Sequence, residues 1–195
     1  LNKRILALLA LLAVAALTVS ACGGSSSEDK IAKTIEAGTT TDDPSNCTEL
    51  ETQRFVEQST TKRGKAAVKA CEAEAETDEE HAEGVNVSNI SVDGSKATAE
   101  AEFEGGSLDS QALEFALVEE DGDWKLDYVE GFAKYDGKAL GEAFQAKFEE
   151  EPGELDPEQA KCISGKIGEL SQADAEKVIF GGSAEPIIEL AQSCA

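Results

Sequence analysis

The sequence predicts an α+β protein in which N-terminal helices pack on a curved antiparallel sheet, followed by a small disulfide-bridged helical module. Three observations carry this. Apolar residues recur at helical spacing in residues 28–80 and again after residue 138, whereas between residues 85 and 128 the period drops to two. Turn pairs such as Asp93-Gly94 and Asp121-Gly122 separate the alternating runs. Four cysteines, Cys47, Cys71, Cys162 and Cys194, lie two in the first half and two near the end.

The chain opens with Lys3 and Arg4 and then runs almost unbroken apolar from Ile5 to Ala21, the composition of an exported leader. That run is slightly short for a hydrocarbon core of roughly 30 Å, so a cleaved leader fits better than a retained span. Val19-Ser20-Ala21-Cys22 closes it and resembles the bacterial lipobox. The resemblance implies that residues 1–21 are removed, that Cys22 receives diacylglycerol on its sulfur, and that its new amino group is acylated. The mature protein would then sit on the extracytoplasmic face of the cell membrane, with the lipid bilayer as its partner through Cys22. Two or three acyl chains suffice for stable anchoring when each buried methylene contributes about 0.8 kcal/mol.

Loss of residues 1–21 leaves 174 of 195 residues and removes two of the 17 basic side chains, so that 15 face 40 acidic ones and the net charge falls from −23 to −25. A chain of this length buries one modest core, or a main core and an appendage. Its acidity excludes a nucleic-acid partner, since no basic surface is available to neutralise phosphates. Cys22 to Glu28, rich in Gly and Ser, reads as a flexible tether.

The first helix runs from about Asp29 to Ala37, with Ile31 and Ile35 on one face, and Gly38 with its Thr run ends it. Asp43-Pro44 starts a second, in which Cys47, Leu50, Phe55 and Val56 form an apolar side before Gly64. A third, Lys65 to Glu76, places Ala67 and Cys71 one turn apart, so that Cys71 can face Cys47 across a helical hairpin. Export makes disulfides the expected state of the cysteines. Of three possible connectivities, sequential pairing, Cys47 with Cys71 and Cys162 with Cys194, closes two moderate loops, each within a helical region. Zinc is the alternative for four cysteines, but no C-x-x-C pair is present.

Val85-Asn86-Val87 and Ile90-Ser91-Val92 flank an irregularity at Ser88-Asn89. Ala97, Ala99, Ala101 and Phe103 then alternate with polar residues, Gly105-Gly106 breaks the run, and Gln111 to Glu119 places Leu113, Phe115 and Leu117 on one face. Asp121-Gly122 leads into Trp124, Leu126 and Tyr128, again on one face. Such a succession predicts an antiparallel meander with one side on the helices.

With its helices first, its meander, and the stretch Asp121-Gly122-Asp123-Trp124-Lys125-Leu126, the region from residue 28 to 132 resembles the NTF2-like (cystatin-like superfamily) bacterial lipoprotein domains of unknown function, common in actinobacteria. The resemblance implies a domain over residues 29–150, including the helix after the sheet, and a cone-shaped pocket between helices and sheet that could hold a small-molecule ligand or a substrate. Trp124 and Tyr128 are the candidate ligand contacts, with a place in the core as the plainer reading. The chain departs from catalytic members: His81, its one histidine, sits in the acidic connector Asp78 to Glu83, and no acid/base pair can be placed on the inward faces, so no catalytic residue is assigned. His81 reads as an exposed loop side chain, or as a weak metal ligand or pH-sensitive contact. Asp121, Asp123 and Asp127 offer oxygens without the order of a calcium loop, and no metal or other cofactor is implied.

Leu140, Phe144 and Phe148 make an apolar stripe on a helix from Lys138 to Glu149, which Pro152-Gly153 ends. Residues 152–195 form the last module. Asp156-Pro157-Glu158-Gln159 caps a helix carrying Ile163, Ile167 and Leu170. Ser171 to Asp174 opens a second with Val178 and Ile179, and Ser183 to Pro186 a third with Ile187, Leu190, Ala191 and Cys194. This tail resembles a small two-cysteine helical module of actinobacterial envelope proteins. It reads as a docking module for another envelope protein or as a stabilising extension, and a Cys162–Cys194 bridge suits its small core. The whole reads as a membrane-anchored lipoprotein that binds a partner protein or small ligand without catalysis; an NTF2-like enzyme acting on a small extracellular substrate, or a spacer without a pocket, are the alternatives.

Overall fold

The computed structural model describes residues 26–76, 81–150, 156–181 and 185–194. Cys22, the apolar run before it and the Pro152-Gly153 boundary lie outside the described residues. The element order is α1 (Ser27–Thr40), α2 (Asn46–Glu49), α3 (Gln53–Ser59), α4 (Lys65–Ala75), β1 (Gly84–Asp93), β2 (Lys96–Glu104), β3 (Ala112–Glu120), β4 (Asp123–Lys134), α5 (Gly137–Glu150), α6 (Pro157–Gly168), α7 (Gln172–Ile179) and α8 (Glu185–Gln192). The four strands form one antiparallel sheet in the order β1-β2-β3-β4. The α+β architecture expected from the change of period is present.

Helix α1 begins inside the segment expected as tether because Ser26 and Asp29 form a capping box: the Asp29 amide donates to Ser26 Oγ and the Ser26 amide to Asp29 Oδ2, both at 3.1 Å. It also runs through Gly38 rather than stopping there. Thr39, Thr40 and Thr41 each donate a hydroxyl to the carbonyl four residues back, at 2.7, 2.7 and 2.6 Å, which suits these residues to the helix end. Gly38 serves close approach instead, since a Cβ there would lie 2.8 Å from Leu126 Cδ1. Ile31 and Ile35 are fully buried, and α1 packs on both outer strands, β1 and β4, so the sheet curls over it.

The single helix expected between Pro44 and Gly64 is two. Between them the Thr52 amide donates to the Leu126 carbonyl and the Leu126 amide to the Leu50 carbonyl, both at 2.8 Å, pinning Glu51 beside β4 in an isolated parallel bridge. Thr52 then caps α3 by accepting from the Phe55 amide at 3.2 Å. The Cys47–Cys71 disulfide, Cα atoms 6.0 Å apart, joins α2 to α4, and Cys162–Cys194, at 5.8 Å, joins α6 to the end of α8. Sequential pairing is therefore the connectivity of this fold.

Asn89, at φ 51°, marks the irregularity in β1, where the register with β2 shifts between Ser88 and Ser91. Asp121 and Gly122 both take positive φ, 56° and 93°, as a two-residue hairpin of right-handed twist requires. Strand β4 is longer than the sequence suggests, reaching Lys134, and a register shift against Ala116/Leu117 changes which side faces inward. Trp124 and Leu126 are buried, but beyond the shift Val129 and Phe132 take the inward positions and Tyr128 does not. The expected common face of Trp124, Leu126 and Tyr128 ends at Leu126.

The core is continuous from the sheet into the C-terminal helices: Phe115, Leu117 and Leu126 belong to one cluster with Leu140 of α5, Ile163 and Ile167 of α6 and Ala175 of α7. Helices α5 and α6 meet with little between them. A Cβ on Gly141 would lie 2.7 Å from the Ser164 carbonyl oxygen and 2.9 Å from Gly168 Cα.

Candidate ligand cavity

A cavity of about 450 Å³ opens between the inner face of the sheet and the helices around it. Its floor is Phe103, Leu113, Phe115 and Val129 from β2, β3 and β4; its walls are Phe55 and Gln58 of α3, Phe144 of α5, and Ile179 and Phe180 at the end of α7. The loop after β2 rims it with Gly105, Gly106, Ser107 and Leu108, and Ala82 and His81 complete the mouth. The volume is that of pockets holding drug-sized molecules.

Bulges in the edge strand position this wall. Gln58 is buried, yet its amide is fully used: Oε1 accepts from the Val129 amide at 2.8 Å, and Nε2 donates to the Val129 carbonyl at 3.0 Å and to the Phe180 carbonyl at 3.4 Å. Three residues further along the bulged strand, the Phe132 amide donates to Glu176 Oε1 at 3.1 Å and its carbonyl accepts from Gln172 Nε2 at 2.8 Å. Helix α7 thus holds the free edge of β4 through side chains. At Gly131 its approach leaves no space for a Cβ, which would fall 2.7 Å from Glu176 Oε1. Phe132 and Phe180 lie 5.1 Å apart, ring centre to ring centre, behind the wall.

Among the described residues no buried side-chain nitrogen or oxygen lacks a hydrogen-bond partner. The cavity therefore offers an occupant mainly hydrocarbon and aromatic surface, the Gln58 amide in its wall being already engaged by the backbone, with His81 and Ser107 at its mouth. His81 is the one titratable side chain among its lining residues; it is 41% exposed, and its Nδ1 lies 2.7 Å from Asp42 Oδ2.

The two aromatic residues singled out in the sequence lie elsewhere. Trp124 is packed beneath α1, where its carbonyl accepts from Thr34 Oγ1 at 3.2 Å, and it does not line the cavity. Tyr128 stacks under the Arg54 guanidinium, 4.0 Å from ring centre to Cζ. Arg54 also meets Asp127 Oδ2 at 2.9 Å, and Asp127 Oδ1 accepts from Thr52 Oγ1 at the same distance, so the carboxylate considered for calcium is engaged within the fold. The Phe144 stripe was legible as apolar. Gln58 and Phe180 carried no signal, because one is an isolated amide in a polar stretch and the other abuts a glycine pair read as a stop.

A second constellation lies outside the cavity. Oε2 of Glu51 sits 3.6 Å from Cys71 Sγ, and the sulfurs of Cys47 and Cys71 and a Glu51 oxygen all fall within 4.8 Å of one another. With the sulfurs joined, the cluster has no thiolate to give a metal. Burial pushes the Glu51 carboxyl up to about 7. No motif announced this residue.

No protein-family model, no curated protein and no solved structure matches the chain. Among the described residues no helix is long and apolar enough to cross a membrane.

Proposed function

We propose that this protein is a lipid-anchored, extracytoplasmic binding protein that holds a small, largely apolar molecule between its helices and its sheet, on an NTF2-like plan. The observation that carries the reading is the cavity of about 450 Å³, lined by Phe55, Phe103, Phe115, Phe144 and Phe180, in a fold whose buried polar side chains, among the described residues, are already satisfied. Such an interior rewards apolar surface and penalises an unpaired polar group, so the ligand's polar end belongs at the mouth, beside His81 and Ser107. Anchoring is supported by the basic start, apolar run and Cys22, and export by two disulfides. Binding is favoured over catalysis because the lining places one titratable group, already facing Asp42, where acid/base chemistry needs a positioned pair.

The test is titration of the full chain with the uncharged fluorophore N-phenyl-1-naphthylamine, beside the variant Ala82→Phe. Ala82 is 8% exposed and lines the cavity, so a phenyl group there occupies the ligand's space. Saturable one-to-one enhancement that is lost in the folded variant is expected. No saturable binding by the parent chain, or equal binding by both, overturns the reading. For the anchor, Cys22→Ala is expected to abolish acylation and membrane partitioning in a bacterial host; unchanged processing and partitioning would overturn it.

A further inference from the structure

We propose that the Cys47–Cys71 disulfide is exchange-active and that the Glu51 carboxyl supplies and recovers the proton of the exchange. Glu51 lies between the two residues whose main chains pair with Leu126, and its own amide donates to the Asn46 carbonyl at 3.1 Å, so its position beside the disulfide is fixed by the fold. It comes within 3.6 Å of Cys71 Sγ, no ion pair among the described residues includes it, and its carboxyl is largely desolvated. A largely desolvated carboxyl without an ionic partner is costly, and a glutamine would fill the same space at less cost. What the carboxyl adds is a proton that it can release near neutrality, next to sulfur.

The two sulfurs differ in access. Cys47 is 3% exposed and Cys71 is half-buried, so an incoming thiolate reaches Cys71 first. A reducing dithiol attacks as its thiolate at Cys71 Sγ; the new S–S bond forms, the Cys47–Cys71 bond breaks, and its electron pair goes to Cys47 Sγ, which takes the Glu51 proton. The second thiolate of the dithiol then attacks its own sulfur in the mixed disulfide. Cys71 leaves as thiolate and is protonated through Glu51, which is recharged from solvent. The net change is one protein disulfide to two thiols and one dithiol to a disulfide, two electrons in all, with the dithiol's two protons returned by way of the carboxyl. A protonated leaving thiol departs more readily than a bare thiolate in a desolvated site. Among the described residues Cys162–Cys194 belongs to no comparable cluster with a carboxyl, and serves as the control within the same molecule.

The experiment follows the opening of both disulfides in the oxidised full chain under excess dithiothreitol at pH 7 without denaturant, by alkylation and mass mapping. The parent is compared with Glu51→Gln and Glu51→Asp. Glu51→Gln is expected to slow opening of Cys47–Cys71 about tenfold or more relative to Cys162–Cys194, on the scale of general acid–base assistance, and Glu51→Asp to recover part of the loss. A relative change under threefold in Glu51→Gln overturns the proposal, as does equal slowing of both disulfides, which would mean that exchange follows unfolding of the whole chain.

Discussion

The side-chain amide of Gln58 pairs with the backbone of Val129 as a neighbouring strand would, accepting from its N–H at 2.8 Å and donating to its carbonyl at 3.0 Å. Strand β4 is the outer strand of the sheet, and a residue of α3 continues its hydrogen bonding where the strand is bulged. Replacing Gln58 by Leu keeps the volume and leaves two buried main-chain groups unpaired. Such groups cost about 1–3 kcal/mol each, so a loss on the order of 2–6 kcal/mol is expected in urea unfolding. Gln58→Glu keeps the acceptor for the Val129 amide and loses the donor to its carbonyl. An effect below about 1 kcal/mol in Gln58→Leu would show that water replaces the amide.

Glu51 gives stability a defined pH dependence. In the unfolded chain its proton leaves near 4.5, whereas in the fold burial holds it until about 7. Between these values the native state binds the extra proton, so stability falls as pH rises through that window and is level beyond it. The contribution lost is on the order of 2 kcal/mol, reduced from the full shift because the side chain keeps some contact with solvent. Glu51→Gln is expected to be more stable than the parent at pH 8 and close to it at pH 4.5. Urea midpoints at the two pH values check this, and a constant difference between the proteins would refute it.

What the sequence revealed and what it concealed have separate physical causes. Periodicity placed the helices and strands, because burial of Ile31, Ile35, Phe115 and Ile163 is a one-sided requirement that spacing records. Cysteine positions and local loop lengths led to both bridges. The cavity was harder to read, since it is formed by residues from seven elements and depends on bulges that a period of two cannot register. Tyr128 shows the consequence: one shift in register turned a residue assigned to the inner face out to Arg54. Glu51 shows another, since a lone carboxyl in an acidic chain gains its meaning only when Leu126 and Cys71 are brought to it from far along the sequence.

Two glycines of the C-terminal helices predict opposite outcomes for the same substitution. Gly141 faces the α6 backbone with room for hydrogen alone, a Cβ falling 2.7 Å from the Ser164 carbonyl, whereas Gly165 has nothing within 4 Å of where its Cβ would stand. Gly141→Ala must separate α5 from α6 and is expected to destabilise by about 1–3 kcal/mol, as overpacking does. Gly165→Ala lies within α6 and is expected to stabilise by roughly 0.5–1 kcal/mol through helix propensity. Thermal unfolding distinguishes them, and a shift of the same sign in both would mean that the helix pair is not closely seated.

The link between α7 and β4 makes ligand binding depend on the C-terminal helices. Gln172 and Glu176 hold both main-chain groups of Phe132, and the same helix delivers Ile179 and Phe180 to the cavity wall. Gln172 is exposed and Glu176 only half-buried, so their removal vacates little core volume and acts mainly by releasing the edge of β4. In Gln172→Ala/Glu176→Ala the Phe132 groups lose two bonds worth about 1 kcal/mol each. Probe affinity is expected to fall about five- to tenfold under conditions in which both proteins remain fully folded by circular dichroism. If affinity is unchanged, Phe180 is held by its contact with Phe132 alone, and the helical module is a passenger on the cavity rather than one of its walls.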